Sequence, residues 1–208
     1  LVQEMPFPKS MRWGSGSLRF ARPIRWIVAL FGEALIEFTV DGLAVGRVSR
    51  GHRFKSRRPV ELASADFDAY CKMLGKQHVI VHHEVRRRKI ARQLNKVARE
   101  HDGNPLDNAD LLDTVTQLVE SPKVVCGSFQ PAYLGLPAEV LITTMVKHQK
   151  YFPIIDASGA LLPKFLTVSN MPIRDLSHIR TGNERVLAAR LADAKFFFDE
   201  DRKTPLED

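Results

Sequence analysis

The sequence predicts an α+β fold, a mixed or antiparallel sheet with helices packed on it. Three observations carry this. Turn signals at Asp41-Gly42 and across 156–159 join neighbouring strand-like runs, as antiparallel hairpins require. Apolar residues recur at helical spacing over 83–99, with Ile90, Leu94, Val97 and Ala98 on one face. Strand and helix patterns follow one another without the regular alternation of a parallel α/β sheet.

Each element has a local reason. Residues 1–17 hold Pro6, Pro8 and Gly14-Ser15-Gly16-Ser17 and read as an extended lead-in and a loop. The apolar, β-branched run 25–31 reads as a strand. The alternating run 35–40 is a second strand after a turn at Gly32-Glu33, and 43–49 is a third. A short helix is predicted over 64–74, capped by Ser64 and stopped by Gly75, followed by a brief strand over 79–81. The helix over 83–99 turns Arg86, Arg87, Arg88, Lys89, Arg92, Lys96 and Arg99 away from its apolar stripe. A second helix over 108–119 has Asp107 or Asn108 as its cap and acidic first turns that suit the helix dipole. A strand over 124–129 and a helix opened by Pro137 and running through Val146 come next. Strands over 151–155 and 162–168 then flank the 156–159 turn. Thr181 and Glu184 have the spacing of a capping box, which predicts that the last helix starts there and aligns Leu187, Leu191, Ala194 and Phe198.

The net charge is +7, and all of it lies in residues 1–58, which hold 11 Lys/Arg against 4 Asp/Glu; the remaining residues hold 20 of each. Arg47, Arg50, Arg53, Lys55, Arg57 and Arg58 fall within twelve residues. Such a cluster attracts a polyanion by counterion release, although charge runs are more often solvated faces. A second corner, Lys147, His148, Lys150 and Tyr151, joins cations and an imidazole to an aromatic ring, groups that suit phosphate contact and base stacking. The bland reading is a helix C-terminus whose cations complement the dipole. On the last helix, Arg185, Arg190, Asp193 and Phe197 are candidates for contact with another domain or subunit.

Several chemistries find no support. Trp13-Gly14-Ser15-Gly16 begins like a dinucleotide loop, but Arg19 replaces the third glycine and no strand precedes it. His78 and His82 would need a helix to seat zinc, and 79–81 favours a strand. Cys71 and Cys126 have no CxxC spacing and read as free thiols of a cytosolic protein. The longest apolar run, 26–31, is too short to span a bilayer. No catalytic residue and no metal ligand is predicted. Lacking an initiator Met and ending just after a charged helical run, the chain reads as a piece of a longer protein.

Three ordered segments carry a resemblance. They are His148-Gln149-Lys150-Tyr151-Phe152-Pro153, then Phe165-Leu166-Thr167-Val168-Ser169-Asn170, then the run 182–198. Residues 8–14, 20–26 and Gly51-His52-Arg53-Phe54 agree with them; only 59–135 are less distinctive. Together they resemble the β subunit of the bacterial two-subunit glycyl-tRNA synthetase. The resemblance implies a non-catalytic module of a cytoplasmic α₂β₂ enzyme that attaches glycine to tRNA using ATP and Mg²⁺. It places the active site on the α subunit and implies tRNA(Gly) and the α subunit as partners, with no cofactor in this part. It also implies a fold similar to the B3/B4 region of the phenylalanyl-tRNA synthetase β chain. Residues 1–180 would form that module, with any division into two subdomains between 60 and 120. Residues 181–208 would form a helix leading into the next domain. A purely structural scaffold is the main alternative. An editing-type hydrolytic site, for which only His148 with Thr143 or Thr144 can be nominated, is the weaker one.

Overall fold

The structure is a computed structural model that describes residues 2–56, 58–171 and 175–203. It is mixed α+β and divides into two compact units, Leu1–Val81 and His82–Asp208. No helix among the described residues is long and apolar enough to cross a membrane.

The first unit is built from very short strands. The loop over 13–18 closes a hairpin between β1 (Met11–Arg12) and β2 (Arg19–Phe20), where only a loop was expected. The run 25–31 is broken into β3 (Ile27–Val28) and β4 (Leu30–Phe31). The next run likewise gives β5 (Ala34–Leu35) and β6 (Thr39–Val40). The predicted turns do form, with Leu30 opposite Leu35 across Gly32-Glu33 and Val40 opposite Leu43 across Asp41-Gly42. Asp41 and Gly42 both take positive φ, 50° and 81°, as a tight hairpin turn requires. The third run becomes β7 (Leu43–Gly46) and β8 (Val48–Arg50). β7 pairs in parallel with β3, and β8 pairs antiparallel with β9 (Pro59–Glu61).

Helix α1 (Phe67–Lys76) is capped by Asp66, whose side chain accepts from the Ala69 amide at 3.0 Å, so Ser64 is not its cap. Gly75 lies inside the last turn, and the stop comes at His78, with φ 63°. Residues 79–81 form no strand; Val79 and Val81 pack instead on the core of Val60, Leu62 and Leu74.

The second unit is a four-stranded antiparallel sheet with helices on both faces. Its strand order is β10 (Asn104–Pro105), β12 (Phe152–Ile155), β13 (Leu161–Ser169), β11 (Lys123–Ser128). Side chains alternate across a strand, and the alternation sorts the core. Phe152, Ile154, Leu166 and Val124 meet Ile90, Leu94 and Ala98 of α2 (His83–Arg99) and Leu111 and Val115 of α3 (Ala109–Leu118). Tyr151 and Phe165 face the other way, onto Leu141, Met145, Leu187 and Leu191.

Helix α2 has the predicted bounds, and Asn108 caps α3 by accepting from the Leu111 amide at 2.8 Å. Arg86 is the exception on the basic face: it is buried, with Nε donating to the Thr116 carbonyl. The helix opened by Pro137 is short, α4 (Ala138–Thr143), and continues as a π-helical turn, Thr144–Gln149. The last helix, α5 (Ser177–Asp201), starts before Thr181; Asp175 accepts from the Ser177 amide and hydroxyl at its entry. Glu184 closes no capping box, and its carboxylate instead accepts from the Ser128 amide and hydroxyl at 2.9 and 3.0 Å. Leu187 and Leu191 are fully buried, and Phe198 packs beside them.

Candidate nucleic-acid interface

The loop between β8 and β9 carries most of the first basic cluster. It is tied down from inside by His52, which is 1% exposed. The His52 amide donates to the Gln77 carbonyl at 2.9 Å, and the His52 carbonyl accepts from the Lys55 and Ser56 amides at 3.1 and 2.8 Å. Nδ1 of the same residue accepts from the Phe54 amide at 3.3 Å. Gly51 is required for close approach, because a Cβ there would lie 2.4 Å from Gln77 Cβ. The result is a tight turn that holds Arg53, Phe54, Lys55 and Arg58 exposed.

The six candidates of this cluster separate. The Arg47 guanidinium donates to the Glu33 carbonyl and to those of Leu62 and Ala63, the last at 3.1 Å, and so closes the unit from within. Three main-chain oxygens already draw on its donors and fix its direction, so it is less suited to grip a phosphate than its exposed neighbours. Arg50 stands 5.9 Å from the Trp26 ring centre and Arg53 5.6 Å from that of Phe54, both within cation–π reach. Lys55 and Arg58 point to solvent, and Arg57 lies outside the described residues. Sequence reading missed Phe54 and Trp26 as part of this surface. The signal was an aromatic residue interleaved with cations, Arg53-Phe54-Lys55.

The second corner belongs to the other unit. Lys147 and His148 are exposed in the π-helical turn. Lys150 takes a left-handed conformation, φ 60°, and its Nζ donates to the Lys147 carbonyl at 3.0 Å, which caps the helix end. Tyr151 is buried: its ring stacks on Phe165 with centres 4.6 Å apart, and its hydroxyl donates to Asn183 Oδ1 at 2.6 Å. That environment pushes the phenol up by desolvation. The ring is a core residue and offers no face to a base.

On α5, Arg185, Arg190, Asp193 and Phe197 are all exposed. Phe196 and Phe197 contact each other edge-to-face and are 58% and 62% exposed.

The glycine-rich segment lines a cleft of about 300 Å³ with Trp13, Leu18, Phe20, Ile24, Val40 and Asp41. The amides that would cradle a phosphate are already used: Ser17 and Leu18 donate to the Asp41 carboxylate at 2.9 and 3.3 Å. These bonds hold the Asp41 carboxyl below its usual range. The Cys126 thiol is pushed up to about 11, mainly by burial, and so stays protonated near neutrality. Among the described residues no group of three or more His, Cys, Asp and Glu is placed to hold a metal ion.

The family model for the glycyl-tRNA synthetase beta subunit matches residues 1–208. The chain belongs to that family. Its relatives include the glycine–tRNA ligase beta subunit of Syntrophus aciditrophicus, 48% identical over 208 residues, covering 100% of this chain and 30% of the relative. That of Moorella thermoacetica is 47% identical over 206 residues, covering 99% and 29%. That of Bacillus subtilis is 44% identical over 207 residues, covering 100% and 30%. The chain therefore spans about 30% of the length of the glycyl-tRNA synthetase β subunits it matches.

Proposed function

We propose that this chain is a tRNA-positioning part of a glycyl-tRNA synthetase β subunit. In this reading the whole enzyme is a cytoplasmic α₂β₂ assembly that attaches glycine to tRNA(Gly) with ATP and Mg²⁺. The aminoacylation site, with ATP and Mg²⁺, lies on the α subunit. The sheet-and-helix architecture is read as one of the B3/B4 kind. The observation that carries the proposal is the hydrogen-bonded turn over 51–56, where Arg53 and Lys55 are exposed, as is Arg58, with no acidic residue between 47 and 60. Cations so placed grip phosphates and set orientation without reading sequence. Lys147 and His148 are a second candidate contact, on their own unit.

The test uses the full-length β subunit with its α partner. The triple variant R53A/K55A/R58A should weaken tRNA(Gly) binding and flatten its salt dependence, by about one unit of log–log slope per lost phosphate contact. Unchanged affinity and slope would reject the proposal.

A second reading, a scaffold joining β to other domains or to α, is favoured by one observation. Phe196 and Phe197 are exposed on α5 beside Arg185, Arg190 and Asp193. Loss of α₂β₂ assembly in F197A with tRNA contacts intact would support it.

A further inference from the structure

We infer that Phe54 is a stacking platform for an unpaired base, so that the turn over 51–56 takes single-stranded RNA rather than a duplex. This deepens the tRNA-positioning reading and rests on it. Phe54 is 62% exposed at the tip of a loop whose backbone is fixed on buried His52. Phe54 belongs to no core cluster among the described residues; its ring meets that of His52, with centres 6.1 Å apart, and the Arg53 guanidinium, and the rest of it stands in water. Its surroundings select the ligand. Arg53 lies against the ring, Lys55 follows it, Arg58 closes the loop, and Arg50 lies over a second exposed aromatic, Trp26. Cations on a stacking ring are the pairing that single-strand binders use.

Arg and aromatic residues also suit protein interfaces, so association with the α subunit is measured beside RNA binding. Duplex RNA would offer phosphates but no base face, since its bases are stacked and its major groove is closed to side chains. Of the two RNA forms, the unpaired nucleotide is the one that uses ring and cations together.

The experiment compares the full enzyme carrying Phe54→Ala, Phe54→Leu and Phe54→Trp with the triple cation variant. The probes are a single-stranded RNA of about eight nucleotides and a duplex RNA of equal phosphate count. Phe54→Ala should weaken single-strand binding by about 5- to 150-fold, the range that removing a stacking aromatic gives. It should leave duplex binding and the salt slope unchanged, and Phe54→Trp should restore binding while Phe54→Leu does not. If Phe54→Ala binds normally while the triple cation variant binds weakly, stacking is overturned and phosphate positioning stands. If neither variant weakens binding, both readings fall. Full rescue by Leu, or loss of α-subunit association with RNA binding intact, overturns the inference in favour of apolar packing or a protein interface.

Discussion

The Arg86 guanidinium lies within α2 and α3 packing, where Nε donates to the Thr116 carbonyl at 2.8 Å. Desolvation lowers its pKa, and nearby Glu120 partly offsets that. Replacing it with Ala strands a buried carbonyl and removes the packed stem, a loss of about 1–3 kcal/mol. Arg92, exposed on the same helix, should tolerate Ala within about 0.5 kcal/mol. Urea midpoints of the two variants separate these outcomes; equal shifts would mean that Arg86 carries no structural role. The same contrast explains why the candidate site was only half legible. Arg47 and Arg53 look alike in a basic run, yet one binds three carbonyls and the other lies against an exposed ring. The end point of a long cationic side chain depends on which main-chain oxygens the fold brings near, and spacing does not encode that. Tyr151 shows the reverse: it heads a run buried from 151 to 154, and its apolar neighbours Phe152, Pro153 and Ile154 point to the interior while the preceding cations point to the surface.

Elements defined by long periodic segments or by short-range turn chemistry were legible: the bounds of α2, the Asn108 cap of α3 and the Asp41-Gly42 turn. Their causes lie within a few residues of each other. The start of α5 was not, because Thr181 and Glu184 have the right letters while Glu184 is used 56 residues away, at Ser128. This difference is testable. A working capping box would make Thr181→Ala cost about 1 kcal/mol. The structure puts Thr181 exposed inside the helix, so Thr181→Ala should change stability by less than about 0.5 kcal/mol. Glu184→Ala should cost about 1 kcal/mol, discounted for solvent exposure, with Glu184→Gln in between because it keeps an acceptor oxygen. Thermal or urea unfolding of the three variants decides between tertiary anchor and local cap.

At the scale of the whole molecule, the two units differ in how much holds each together. The second unit has two core clusters, of ten and eight buried residues, and strands of six and nine residues in β11 and β13. Among its described residues the first has one cluster of three buried residues and strands of two to four. Apolar burial is the main favourable term in folding, so a unit with a small core opens at lower free energy. Native-state hydrogen exchange on the intact chain should therefore find amides of α2 and β13 protected about a hundredfold or more above those of β6–β9. Equal protection in both would mean that they open as one cooperative unit and that core size does not set their stability. The expected gradient bears on function as well. The turn over 51–56 cannot rely on a deep core beneath it, and its order must come from local anchors: the buried His52, the Gly51 approach to Gln77 and the Arg47 clamp on three carbonyls. Protection at the Lys55 and Ser56 amides, which both donate to the His52 carbonyl, measures that local anchoring directly and should exceed that of the neighbouring exposed turns.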